Sequence, residues 1–118
     1  MRRDPRLVPL SREHHAALRL ARALISGTGV AMLSQMRPEL QAHFDEEERD
    51  LLPVLRAAGE HALVSRLLSE HEQLQRFFDE AEAGRRCAEA GEALIAHVRF
   101  EEREMFPAVE RHLAPVAA

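Results

Sequence analysis

Apolar residues recur along the chain at three- and four-residue intervals, which places them on one face of an α-helix. In the sequence around the third such segment, for example, Leu67, Leu74 and Phe78 share a face. Glycine-containing breaks separate the periodic segments, at GTG, RAAGE and AEAGRRC. We therefore predict four helices, over residues 11–26, 34–57, 60–83 and 87–112. Ser11 is the predicted N-cap of the first, because its hydroxyl can accept a hydrogen bond from a free backbone N–H.

The number of helices and their short connections predict the fold class. No segment alternates apolar and polar residues with the period of two that is typical of a strand. Four helices joined by short loops most simply form an all-α, up-down-up-down four-helix bundle, whose facing side chains build the core. At 118 residues the chain supports one modest core, so we predict a single domain over residues 1–118.

Composition and charge narrow the classes of protein that fit. The net charge is −4, and the 16 basic residues, all arginine, are interspersed among 20 acidic ones. Because no basic stripe forms, nucleic acid is not an expected partner. No apolar run approaches the ~20 residues that span a bilayer, and no apolar stretch follows the N-terminal arginines as in a signal peptide. We therefore predict a cytoplasmic protein that does not bind membranes.

One phrase occurs twice: HFDEEERDLLP, from His43, returns 54 residues later as HVRFEEREMFP, from His97. In both copies a histidine is followed four residues on by a glutamate, and then by a second glutamate, an arginine and a proline at matched positions. The helix before each copy carries a Glu-His pair, in SREH and in LSEH. The chain therefore consists of two similar helical hairpins, each with one Glu-His and one His-x-x-x-Glu.

The His-x-x-x-Glu spacing places two ligand groups on one helix face. Residues four apart lie about 6 Å apart along the axis, so His43 with Glu47, and His97 with Glu101, form two-pronged pairs in line with apolar residues. The Glu-His pairs bring the number of inward-facing imidazoles to four. Ionised carboxylates are not left unpaired inside a bundle, because their desolvation costs several kcal/mol each. The pattern therefore predicts a metal centre.

The ligand types indicate which metal. Imidazole and carboxylate without thiolate fit iron or manganese, with zinc as an alternative. Six side chains suit two ions roughly 3.5–4 Å apart. We predict a diiron centre with an oxo or hydroxo bridge, in which each ion holds two histidines and both glutamates span the two ions. The predicted ligands are His14, His43, Glu47, His71, His97 and Glu101.

Some neighbouring residues have alternative interpretations. We favour His14 over the adjacent His15 because His14 falls on the apolar face of its helix. Glu48 and Glu102 are interpreted as exposed charges, with hydrogen bonding behind the ligands as the alternative. We expect Gln75 to face the interior near the metals, where it either hydrogen-bonds an exogenous ligand or simply packs.

The order His, His-x-x-x-Glu, His, His-x-x-x-Glu, closed by EREMFP, resembles the hemerythrin-like family, also described as HHE cation-binding domains. The resemblance runs from LSREHH to MFPAVERH. It departs from oxygen-carrying hemerythrins at Gln75, where they have a histidine, and at Glu101, where they use an aspartate one position later. The pattern is closer to a bacterial type with four histidines and two glutamates, which is associated with oxygen or redox sensing and with nitric oxide or iron–sulfur stress.

The resemblance implies two classes of function. We favour a non-enzymatic module whose diiron centre binds or reacts with O₂, NO or peroxide, in sensing, scavenging or storage; a sensor would need an unidentified protein partner. The alternative is an enzyme, either a peroxidase-like or oxidase catalyst or an iron donor for cluster repair. The sequence has no tyrosine or tryptophan to relay a radical, and it gives no sign of a second substrate pocket, which favours the first class.

Overall fold

The computed structural model describes residues 2–114, and all regular elements in this range are helical. They are α1 (Val8–Ile25), α2 (Val30–Asp50), α3 (Leu52–Ala57), α4 (His61–Glu82), α5 (Cys87–Phe100), a π-helical turn (Glu101–Met105) and α6 (Phe106–His112). Two of the four long rods are composite, because α3 continues α2, and the π-helical turn and α6 continue α5. The rods pack together as an all-α four-helix bundle, which confirms the predicted fold class. Among these helices none has the length and apolarity needed to cross a bilayer.

The first helix begins earlier than predicted, at Val8, and Ser11 is not its N-cap. Leu7 occupies the cap position without a side-chain hydrogen bond, and a proline stands in the first turn, where no backbone N–H is needed. The hydroxyl of Ser11 instead donates a hydrogen bond to Oε2 of Glu102, at 2.7 Å. The Ser11 hydroxyl, which the sequence pattern predicted to cap α1, is therefore used in a tertiary contact with Glu102 instead.

The proline that ends each copy of the repeated phrase interrupts a long rod. Pro53 follows the break between α2 and α3, and Pro107 follows the π-helical turn. Proline has no N–H to donate to the carbonyl four residues earlier, and its ring crowds that carbonyl, so it weakens an α-helix at that point, although α2 itself runs through Pro38. The predicted helices 34–57 and 87–112 are thus each divided close to their His-x-x-x-Glu motifs.

The interior contains two apolar clusters, one towards each end of the bundle. One includes Leu24, Leu33 and Phe78; the other includes Leu55 and Phe106. On every long rod the two clusters are separated by the segment that carries the histidines and glutamates of the repeat. The core therefore encloses a polar layer.

The most extensive contact between two helices of the bundle is between α1 and α5. Gly91 makes it possible, because a Cβ at this position would collide with the carbonyl oxygen of Ala21 and with the side chain of Ile25. The small residues on these facing surfaces allow α1 and α5 to approach each other closely.

Candidate metal centre

The polar layer consists of six buried side chains supplied by all four rods. They are His14, His43, Glu47, His71, His97 and Glu101, which are the six residues predicted from the repeat. Both glutamates are 0% exposed, and no histidine of the six is more than 8% exposed. His15, by contrast, is exposed on the surface of α1.

The ligand atoms of these residues form two groups that share both glutamates. One group contains His14 and His43, and the other contains His71 and His97. Within each group the four candidate ligand atoms lie within 4.8 Å of one another. Each histidine pair comes from one hairpin, because the histidine of its Glu-His motif lies beside the histidine of its His-x-x-x-Glu motif.

Glu101 presents one carboxylate oxygen to each histidine pair. Oε1 lies 2.7 Å from Nε2 of His14 and 3.7 Å from Nε2 of His43. Oε2 lies 3.1 Å from Nε2 of His97 and 3.8 Å from Nε2 of His71. One carboxylate therefore spans the two groups.

Glu47 has the same arrangement. Its Oε2 lies 3.1 Å from Nε2 of His43, and its Oε1 lies 3.0 Å from Nε2 of His71. Two carboxylates that each face both histidine pairs have the geometry of bridging ligands between two cations.

Several buried atoms at this centre have unused bonding capacity. Among the described residues, three buried side-chain atoms have no hydrogen-bond partner: Glu47 Oε2, His97 Nε2 and Glu101 Oε2. Burying a polar atom without a partner costs about 1–3 kcal/mol, and more for a charged group. Cations between the two glutamates would satisfy all three atoms, and the nitrogen and oxygen donors fit a binuclear metal site.

Each of the four histidines also contacts an outer carboxylate through its second ring nitrogen, Nδ1. The pairs are Glu13 with His43 (2.7 Å), Glu48 with His71 (2.8 Å), Glu70 with His97 (2.7 Å) and Glu102 with His14 (2.7 Å). A carboxylate accepts a hydrogen bond, so Nδ1 carries the proton and Nε2 is directed towards the centre. The outer carboxylates thereby hold a proton on each Nδ1 and fix the orientation of every ring.

For Glu48 and Glu102 the structure supports the alternative interpretation, hydrogen bonding behind the candidate ligands, although both side chains are also partly exposed. Their side chains are 38% and 31% exposed, and each hydrogen-bonds a histidine of the centre. Glu13 and Glu70 received no role from the sequence, although each directly precedes a histidine in the repeated Glu-His pair. The repetition of that glutamate was the signal that could have identified both residues.

Gln75 does not face the centre, and the expectation that it would was wrong. Its Oε1 accepts a hydrogen bond from Arg37 at 3.0 Å, and its Nε2 donates one to Gln41 at 2.8 Å. The ring next to His71 belongs instead to Phe44, which stacks on the imidazole with centroids 4.2 Å apart. The Gln75 side chain therefore links α4 to the surface of α2.

The charges of the centre shift the pKa values of its own members. Burial disfavours the imidazolium form, but the nearby carboxylates of Glu101 and Glu47 outweigh it and raise the pKa of His43 to about 11. The balance is the same at His71, whose pKa rises to about 10. Burial is likewise outweighed at His97, where the charge of Glu101 raises the pKa to about 9. Burial and the charge of Glu101 raise the pKa of Glu47. The inner carboxylates thus favour a positive charge at each of these imidazoles.

These features define a four-helix bundle with a buried cluster of histidines and glutamates that can bind cations. Residues 6–109 match the family described as the hemerythrin HHE cation binding domain. The chain belongs to this family, as its sequence motifs predicted. Neither the curated proteins nor the solved structures include a match to the chain.

Proposed function

We propose that this protein is a diiron module that binds or reacts with O₂, NO or peroxide. The observation that supports this most directly is the position of Glu47 and Glu101, each with one oxygen towards each histidine pair. The donor set of imidazole and carboxylate, without thiolate, suits iron. When bound, two iron ions would supply one-electron redox changes and coordination positions for a small ligand.

The protein would leave coordination positions free. Each histidine pair, together with the two shared glutamates, offers four ligand atoms from the chain. That is fewer than the six that iron accommodates in octahedral geometry. The outer carboxylates keep each Nε2 directed inward, so the histidines would stay in position while an exogenous molecule enters.

A route for that molecule lies between α1, α2 and α5. A cavity of about 240 Å³ extends from the surface to His43, His97 and Glu101. Apolar residues make up much of its wall, and an apolar passage admits uncharged small molecules such as O₂ and NO. Sensing, scavenging and storage are all compatible with such a centre, and a sensor would act through a protein partner.

The proposal is tested by metal analysis of protein purified without chelators, combined with visible spectra under air and under argon. About two iron atoms per chain are expected. The visible absorption of the oxidised centre should bleach on reduction and change when O₂ or NO is added. A content of about one zinc per chain, with no visible band, would contradict the diiron assignment.

A further inference from the structure

The cavity beside the metal centre is larger than a diatomic ligand requires. Its volume is about 240 Å³. An apolar cavity of about 150 Å³ in another protein is large enough to hold benzene. The wall is formed largely by apolar side chains: Ala17, Met36, Leu40, Phe44, Leu94 and Val98. The cavity reaches into the metal centre at His14, His43, His97 and Glu101, and its apolar part has room for an aromatic ring.

The two hairpins carry equivalent histidines and glutamates, but they differ in the side chains that line this cavity. Ala17 stands three residues after His14, and its counterpart in the second hairpin is Leu74, three residues after His71. Leu74 is 2% exposed and fills the core at its position. The corresponding groove of the second hairpin also includes Gln73 and several glutamates in its wall. The smaller side chain of Ala17 leaves space that Leu74 occupies in the other half.

The mouth of the cavity is acidic. Glu13 and Glu39 line it and are exposed to solvent. None of the described residues around the cavity is an arginine, although the chain has 16 basic residues. Carboxylates at the entrance of an apolar space favour a ligand with an apolar body and a cationic head.

We infer that this cavity is a binding site for a primary ammonium compound with an apolar body about the size of a phenyl ring. The body lies between Ala17, Leu40 and Leu94, and the ammonium group lies at the mouth beside Glu39. This site goes beyond the proposed function, since its walls and its acidic mouth do not depend on which metal the centre holds.

Calorimetric titration of the purified, metal-loaded protein tests the site with three probes of similar shape: 2-phenylethylammonium, 2-phenylethanol and 3-phenylpropionate. One ammonium probe per chain is expected to bind, about fivefold more tightly than the neutral alcohol, as for a partly exposed ion pair. The anionic probe should bind most weakly. Absence of saturable ammonium binding, or equal binding of the anion, would overturn the inference.

Two variants locate the site. Glu39→Gln should remove the preference for the ammonium probe over the alcohol and leave alcohol binding unchanged, whereas Glu72→Gln, on the exposed face of α4, should change neither. Ala17→Leu should abolish binding of both probes, with Ala62→Leu on the surface as its matched control. If Ala17→Leu fails to fold, as judged by its helical circular dichroism, the Glu39→Gln comparison decides alone. An unchanged ammonium preference in Glu39→Gln, or full binding by folded Ala17→Leu, would contradict the site.

Repeating the titration with zinc-loaded protein separates this inference from the diiron proposal. Ammonium binding should persist there, even if the iron assignment fails. Loss of binding on exchange of iron for zinc would show that the probe coordinates the metal instead of occupying the apolar cavity, and would refute the inference.

Discussion

Glu102 accepts a hydrogen bond from Nδ1 of His14 at 2.7 Å, and this contact joins the π-helical turn to α1. Its counterpart in the other half joins Glu48, near the end of α2, to His71 of α4 at 2.8 Å. Both contacts cross from one hairpin to the other, whereas the remaining two outer carboxylates hold a histidine within their own hairpin. The outer carboxylates therefore connect the hairpins around the centre as well as orienting its ligands.

Replacing Glu102 with glutamine should weaken metal binding by roughly tenfold, because loss of an outer hydrogen-bonding carboxylate typically lowers metal affinity by 10–100-fold. Competition with a chromogenic chelator measures the change. The matched control is Glu104→Gln on the same turn, whose side chain is 54% exposed and pairs with Arg66 at the surface. Equal losses in the two variants would mean that Glu102 acts only through surface charge.

Replacing His14 with alanine should remove a ligand from one metal position, and the metal content should fall towards one ion per chain. His14 is 5% exposed and lies in the centre, whereas the adjacent His15 is exposed. His15→Ala should therefore keep the parent metal content and visible spectrum. Elemental analysis of both variants decides, and a loss confined to His15→Ala would reverse the assignment.

Metal binding at pH 7 should release about three protons, because the pKa values of His43, His71 and His97 are raised to about 11, 10 and 9. These values lie above the ordinary histidine pKa, so in metal-free protein the three imidazoles hold protons at neutral pH that a cation must displace. Titration of metal into weakly buffered protein with a pH indicator measures the release. Release of less than one proton would contradict the charge balance of the centre.

The same pKa shifts predict how the stability of metal-free protein depends on pH. A raised pKa in the folded state stabilises the fold below the ordinary histidine pKa of about 6.5, and this contribution disappears as the pH rises through 9 to 11. Urea unfolding of metal-free protein at pH 6.5 and pH 10 should show the higher midpoint at pH 6.5. Equal midpoints would indicate that these protons are not held in the folded state.

Replacing Gln75 with histidine should not add a metal ligand, because this side chain points towards Arg37 and Gln41. The visible spectrum and the rate of oxidation by air should match those of the parent. Rapid mixing of reduced protein with O₂ measures the rate. A long-lived oxygenated form in this variant alone would show that residue 75 can reach the centre.

The buried cluster of histidines and glutamates was predictable from the sequence because two independent patterns coincide at the same positions. The repeat selects the histidines and glutamates, and the apolar periodicity shows which way they face. Gln75 escaped this logic because a four-residue step does not fix which way a side chain turns: Glu47 and Glu101 reach the centre at this spacing, whereas Gln75 hydrogen-bonds Arg37 and Gln41. Glu13, Glu70 and Ser11 each contact a residue on another helix. Spacing along one helix does not predict which helix lies opposite, so the sequence did not predict these contacts.

The candidate ligands divide evenly between the two hairpins. Each group takes its two histidines from one hairpin, and Glu47 and Glu101, one from each hairpin, belong to both groups. A single hairpin with one Glu-His and one His-x-x-x-Glu would therefore provide the same donors when paired with a copy of itself.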